Sequence, residues 1–185
     1  MQSIVVSQEI LLERIAISDV STLFAAIDQN RSDLVTWLPF VDQTKELLDS
    51  EKFIQRIIEN RDQTFNEDYM IWHQGTFVGV IGFHNTDRVN EKTELGYWLI
   101  GEARGRGIIS KCCVKMIEIG FEKMKLNRIT IRCAVGNESS EKIAQKLRFT
   151  FEGVERSGER YHDTFFDMKQ YSLLQKDFLA NQART

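Results

Sequence analysis

Proline is almost missing from this sequence. Pro39 is the only one among 185 residues, and neither glycine nor serine gathers into a rich stretch. No linker of that composition divides a chain whose length suits one hydrophobic core, so a single domain over residues 1–185 is expected. Long apolar runs are missing as well. No stretch approaches the roughly 18 apolar residues of a membrane span, and the opening MQSIVVSQEILLER has no basic region ahead of an apolar run, which predicts a cytoplasmic protein with no membrane partner. The three cysteines, Cys112, Cys113 and Cys133, and the histidines show no zinc-site spacing. The thiols read as reduced core residues, and no metal is expected. Clusters of arginine and lysine interleaved with aromatics are absent too, which argues against direct nucleic-acid binding. The net charge of −3 suits a cationic acceptor such as an amine, but so small a value is ordinarily a matter of solubility.

What the chain does hold is an ordinary globular mixture, 42% hydrophobic and 28% charged, too apolar for a disordered protein. A first strand is expected near Ile10–Arg14, followed by a helix capped by Ser18 or Asp19 on which Val20, Leu23, Phe24 and Ile27 form one apolar face. A short helix over Ser32–Leu38 should stop at Pro39, and Phe53, Ile54, Ile57 and Ile58 mark a longer helix over Leu48–Asp62. The period then changes. Tyr69–His73, a Gln74-Gly75 turn and Phe77–Phe83 read as an antiparallel hairpin. Further strands are expected over Thr93–Ile100, Arg128–Val135, Phe149–Val154 and Phe165–Leu173, with helices over Gly107–Met124 and Ser139–Lys146. No internal repeat is evident.

The segment with most chemical content runs from Glu94 to Ser110, ELGYWLIGEARGRGIIS: a strand, a tight basic loop and a helix start. Gly105 and Gly107 let backbone N–H groups approach a ligand, and the helix start adds partial positive charge, as a phosphate requires. Arg104 and Arg106 offer charge-assisted contacts to phosphate oxygens. A Gly-x-Gly alone is weak, since a flexible connection with two solvated arginines reads the same way. A dinucleotide-binding loop would want glycine where Ser110 stands, and a P-loop would need Gly-Lys-Ser/Thr after a longer loop. Neither fits.

The loop resembles the signature of the GNAT acetyltransferases, Arg/Gln-x-x-Gly-x-Gly/Ala. Arg104 and Gly107 match, and Ile109 departs by placing a β-branched side chain where the family prefers a small residue. The resemblance covers nearly the whole chain and points to the RimJ/RimL-type ribosomal-protein N-acetyltransferases. It is carried in order by Asn30-Arg31, Leu34, Trp37-Leu38-Pro39-Phe40, Gly79 to Gly82, Glu94 to Trp98, Asn137 to Ser140, Leu147 to Phe149, Glu152-Gly153 and Tyr171 to Leu174. Arg148 stands where a glycine is usual.

That resemblance implies an α+β GNAT fold, a strongly twisted mixed sheet of six to seven strands with helices on both faces. It also implies acetyl-CoA as co-substrate, its pyrophosphate held by the backbone of Arg104, Gly105, Arg106, Gly107, Ile108 and Ile109. The thioester would lie where the family opens a gap between its fourth and fifth strands, with the N–H of Leu99 or Ile100 as oxyanion donor. Direct transfer to an amine needs a base, an oxyanion donor and an acid. Glu94 is the candidate base, against the plainer reading of a surface strand carboxylate. Asn137 would bind the pantetheine arm and can also cap a helix. The tyrosine that many relatives use as the acid is replaced by Ala144, so Ser140 becomes the candidate acid, against simple helix capping. Trp37, Phe40 and Tyr97 are candidates for the acceptor pocket, though such aromatics often only pack. His73, His84 and His162 read as surface or turn residues.

The acceptor implied is a protein N-terminus, that of a ribosomal protein in the subfamily. A small-molecule amine is the alternative, and a non-catalytic acetyl-CoA-binding module the rival from another class. Related proteins are often homodimers, and the sequence leaves the oligomeric state open.

Overall fold

A computed structural model describes residues 2–161 and 163–182 of the chain, so His162 lies outside the described residues. In chain order the elements are β1 (Ser3–Val5), β2 (Ile10–Arg14), α1 (Val20–Gln29), α2 (Arg31–Leu34), α3 (Leu47–Thr64), β3 (Glu67–His73), β4 (Thr76–Asp87) and β5 (Lys92–Leu99). They continue with α4 (Ile108–Glu118), β6 (Arg128–Ala134), α5 (Glu138–Lys146), β7 (Thr150–Tyr161), β8 (Thr164–Leu174) and α6 (Gln175–Gln182). Among the described residues eight strands form one mixed sheet in the order β1-β2-β3-β4-β5-β6-β8-β7. The β5–β6 pair is parallel, joining Lys92 with Arg128, Thr93 with Ile129 and Glu94 with Thr130. No described helix is long and apolar enough to cross a membrane.

The strand count corrects the expected six to seven. The additional strand is β1, which pairs antiparallel with β2. A turn through Ser7-Gln8-Glu9, closed by the Val6 and Ser7 N–H groups on the Ile10 carbonyl, separates the two strands. Asp19 precedes α1 as expected, but its carboxylate accepts the Ala16 N–H at 2.8 Å instead of capping that helix. The helix expected over Ser32–Leu38 is regular only over Arg31–Leu34. Pro39 holds Leu38 extended, at φ −125 and ψ 91, and so the preceding turn cannot continue. The polar helix α6 carries little apolar periodicity and was not legible.

The described residues divide into two compact units: 2–82 with 97–112, and 83–96 with 113–161 and 163–182. Each has its own apolar interior. In the first, Val20, Leu23 and Ile27 share one face of α1 and bury with Ile15, Leu34, Val41, Ile54, Met70, Phe77 and Val80. The start of α3 is held by Asp49, whose carboxylate accepts the N–H groups of Lys45 and Glu46. Between β3 and β4, Gln74 and Gly75 take φ of 51 and 78, the two left-handed residues of a tight hairpin turn.

In the second unit β6 alternates, burying Ile129, Ile131 and Cys133 while Arg128 and Arg132 project from its other face. Arg128 grips Glu152 through both terminal nitrogens, and the Ser172 hydroxyl donates to the same carboxylate at 2.8 Å. The Arg128 bonds, with help from Ser172, hold Glu152 down to a pKa of about 2. Arg148, standing where relatives carry glycine, follows α5 at φ 61, the conformation a glycine takes without strain.

Gly79 shows how closely β4 approaches β5. A Cβ there would lie 2.1 Å from the Trp98 carbonyl oxygen and 2.9 Å from Leu99 Cα, backbone atoms that cannot move aside cheaply. Gly79→Ala is therefore expected to destabilise by about 2–3 kcal/mol. A thermal melt should show a fall of roughly 4–12 °C, and a variant melting with the native chain would contradict this packing.

Candidate functional site

The loop resembling a phosphate cradle lies wholly in the first unit. At the end of β5 the Ile100 N–H donates to the Val78 carbonyl at 2.9 Å. Of the two expected oxyanion donors, Ile100 is thus committed to β4. Leu99, one residue earlier, turns its N–H to the opposite edge of the strand by the alternation of an antiparallel ladder. A tight turn over Gly101–Ala103 follows, closed by the Arg104 N–H on the Gly101 carbonyl at 3.1 Å.

Gly105 and Gly107 then adopt φ of 76 and 74, and a Cβ at either would meet no atom within 4 Å. Glycine is needed here for the left-handed backbone, and the space beside it is open. Backbone kinked in this way points successive N–H groups into one concavity, an anion-binding nest. The first internal bond of α4 is Lys111 N–H to the Gly107 carbonyl, 3.1 Å. The N–H groups of Ile108, Ile109 and Ser110 precede it and have no carbonyl of their own helix to bond. The departure at Ile109 carries little consequence for the loop, because Ile108 and Ile109 bury their side chains in the interior. Arg106 is exposed. Arg104 turns back: its Nε and Nη2 donate to the Leu99 carbonyl at 3.3 and 3.2 Å.

Of the candidate acceptor aromatics, also in the first unit, Phe40 stacks on Phe53 with ring centroids 6.4 Å apart and planes at 9°. It also meets Trp98 at 6.4 Å, and Trp98 meets Phe77 edge-on at 6.0 Å. Phe53 and Trp98 were missed. Phe53 has the helical spacing of a core residue, yet Ile54 faces the core and Phe53 stays 43% exposed. Trp37 and Tyr97 are half-buried.

The remaining candidates lie in the second unit. Glu94 accepts from the Asn85 amide at 3.3 Å and stands 4.0 Å from the Arg132 guanidinium. Arg132 also pairs with Glu155 at 2.6 Å and Glu159 at 2.9 Å. Burial opposes its charge, but these carboxylates, Glu94 foremost, raise its pKa above the ordinary value. Asn137 caps α5, its Oδ1 accepting the Ser140 N–H at 3.2 Å. The Ser140 side chain hydrogen-bonds Cys133, whose thiol is pushed up by burial and by the charge of Glu141. Glu141 in turn holds Lys169 at 2.7 Å and accepts from the Tyr171 hydroxyl at 2.6 Å. Burial, with Glu141 beside it, raises Tyr171 to about 12. This network was not legible, because Lys169 and Tyr171 lie 28 and 30 residues from Glu141.

His73 stands 4.0 Å from Glu9, and His84 lies against Gly96. Among the described residues no group of three or more His, Cys, Asp or Glu side chains could hold a metal ion.

Comparison with known proteins gives a consistent result. Residues 9–150 match the family described as the acetyltransferase (GNAT) domain. A Bacillus subtilis (strain 168) protein, YdaF, named for ribosomal N-acetyltransferase activity, is 32% identical over 94% of this chain and 95% of its own. The ribosomal-protein-serine acetyltransferase of Escherichia coli (strain K12) is 29% identical over 94% and 97%. Among solved structures, the microcin C7 self immunity acetyltransferase MccE, in complex with acetyl-CoA and AMP, superposes with a TM-score of 0.87. It is 26% identical and covers 91% of this chain and 94% of that one.

The loop geometry predicts that acetyl-CoA at about 100 times its dissociation constant stabilises the folded chain by roughly 2.7 kcal/mol. Gly107→Val should remove most of that shift, since a β-branched residue cannot hold the left-handed backbone without strain. Thermal melts with and without acetyl-CoA check both statements; a native-sized shift in the variant would contradict the cradle.

Proposed function

The chain belongs to the GNAT acetyltransferase family, and from that premise we propose that it transfers acetyl from acetyl-CoA to the α-amine of a protein N-terminus, a ribosomal protein being the acceptor class. The family supplies the reaction and the co-substrate; the proposal concerns the acceptor and the residues. The observation that carries the acceptor class is similarity over nearly full length to two relatives named for acetylation of ribosomal proteins. Such an acceptor is met in the cytoplasm, and its recognition calls for no direct contact with nucleic acid.

In this reading the nest at Gly105–Ile109 and the start of α4 hold the pyrophosphate, and the Leu99 N–H faces the thioester oxygen as negative charge develops on it. Asn137 serves the pantetheine arm while capping α5. Glu94 takes the proton of the attacking amine. Support for that role comes from its surroundings: Asn85 and Arg132 fix its carboxylate. The three carboxylates around one guanidinium leave a net negative cluster, which suits an arriving ammonium group. Ser140, in the first turn of α5, protonates the leaving thiolate.

A second reading is favoured by the likeness to the microcin C7 immunity enzyme. In it the same chemistry serves a small-molecule amine, and the half-exposed Phe40, Phe53 and Trp98 cluster would receive a flat ring instead of a peptide.

Two measurements follow. Glu94→Gln and Ser140→Ala should each lower kcat by about 10²- to 10⁴-fold, the usual cost of losing an acid or base, while calorimetry finds acetyl-CoA binding intact. Full turnover in either variant would remove that residue from proton transfer.

The acceptor is tested by chemistry of a different kind. An α-amine has a pKa near 7.7–8.0 and lysine near 10.4, so at neutral pH the attacking neutral form is roughly 300 times more abundant for the α-amine, worth about 3.4 kcal/mol. A peptide with a free N-terminus is expected to outpace the same peptide blocked at its N-terminus with an internal lysine. Acetyl mapped mainly to lysine, or found on neither while a small amine reacts well, would overturn the assignment.

A further inference from the structure

Asp33, on α2, belongs to no part of the site described so far, yet its carboxylate touches the acetyl-CoA loop twice. Its Oδ2 stands 3.9 Å from Arg104 Nη1. The same oxygen lies 2.1 Å from where a Cβ on Gly101 would be, so the carboxylate is seated against the Gly101 Cα in space that any side chain would fill. Arg104 turns two of its other nitrogens to the Leu99 carbonyl. One planar guanidinium is thereby held between the end of β5 and a carboxylate of α2, with the turn Gly101–Ala103 enclosed by the pair.

The guanidinium fork is rigid but its side chain is long, and two bonds to one carbonyl oxygen leave it free to pivot about that oxygen. A carboxylate 3.9 Å from Nη1 narrows that freedom by attracting the guanidinium to one side. Gly101 permits the arrangement by having no side chain.

We propose that Asp33 is a positioning residue for acetyl-CoA binding, acting through Arg104: it holds the guanidinium on the Leu99 carbonyl and so fixes the entry of the loop whose backbone receives the pyrophosphate. The proposal rests on the acetyl-CoA reading of that loop. Asp33 itself, a negative charge, touches no phosphate. Its contribution is a preorganised loop, which appears in affinity for acetyl-CoA and not in the chemical step.

The test is calorimetric titration of acetyl-CoA into the native chain, Asp33→Asn, Arg104→Gln and the double variant, with steady-state kinetics alongside. Asp33→Asn is expected to raise the Kd and the KM for acetyl-CoA roughly three- to five-fold, the scale of a half-exposed ion pair, leaving kcat at saturation in place. Gly101→Ala, whose methyl group would displace the Asp33 carboxylate, should give a rise of the same kind. Because Asp33 acts through Arg104, the double variant should bind no more weakly than Arg104→Gln alone. Native affinity in Asp33→Asn, a loss confined to kcat, or a further loss when Asp33→Asn is added to Arg104→Gln would each overturn the proposal. Failure of the native chain to bind acetyl-CoA would instead overturn the reading of the loop.

Discussion

A phosphate received by backbone N–H groups requires a chain that kinks immediately before a helix begins, and this single demand organises much of the first unit. The kink falls at Gly105 and Gly107, both left-handed. It is useful only if its two flanks are immobile. On the C-terminal side Ile108 and Ile109 bury at once, which anchors α4 from its first turn. On the N-terminal side the Ile100 N–H is tied to Val78, and Gly79 admits the close approach of β4 to Trp98 and Leu99. Arg104 closes the frame by returning to the Leu99 carbonyl. The motif reads as a basic loop, but its first arginine serves the loop's own shape.

Charge organises the second unit in a comparable way. Because β6 alternates, Arg128 and Arg132 emerge on one face, and each gathers the carboxylates within reach: Glu152 for the first, Glu94, Glu155 and Glu159 for the second. Glu94 therefore belongs to a cluster with structural value of its own. The two readings of that residue as base and as strand carboxylate are compatible, since a base must be oriented before it can accept a proton along a useful direction.

Legibility in the sequence followed a physical division. The glycines of the loop could be read because their role is local, fixed by φ and by adjacency to a helix start. The strands from Tyr69 onward and the helices as far as Lys146 could be read because strand alternation and helical spacing are local as well, whereas β1 is only three residues long and α6 carries little apolar periodicity. The stacking of Phe53 on Phe40, the return of Arg104 to Leu99 and the gathering of carboxylates at Arg132 were invisible. The first and last depend on side chains from separate elements converging, and the second on a side chain folding back to a backbone carbonyl five residues earlier; spacing within one element carries no record of either. Arg148 stands where relatives carry glycine, and only the structure shows that it takes the left-handed backbone, φ 61, that a glycine takes without strain.

The division into two units has a further consequence for how the chain can be cut. Neither unit is a continuous piece of sequence: the chain passes from one to the other inside β4 at Gly82–Phe83, inside β5 at Gly96–Tyr97 and inside α4 at Cys112–Cys113. Every crossing lies within a hydrogen-bonded element instead of an exposed linker, where proteases and gene fusions ordinarily find their boundaries. A cut at either of the first two severs a strand and leaves an open ladder, and a cut at the third severs a helix. Those three points are poor places to divide the chain, and a split-protein reporter built on it would be cut in a connection between elements instead.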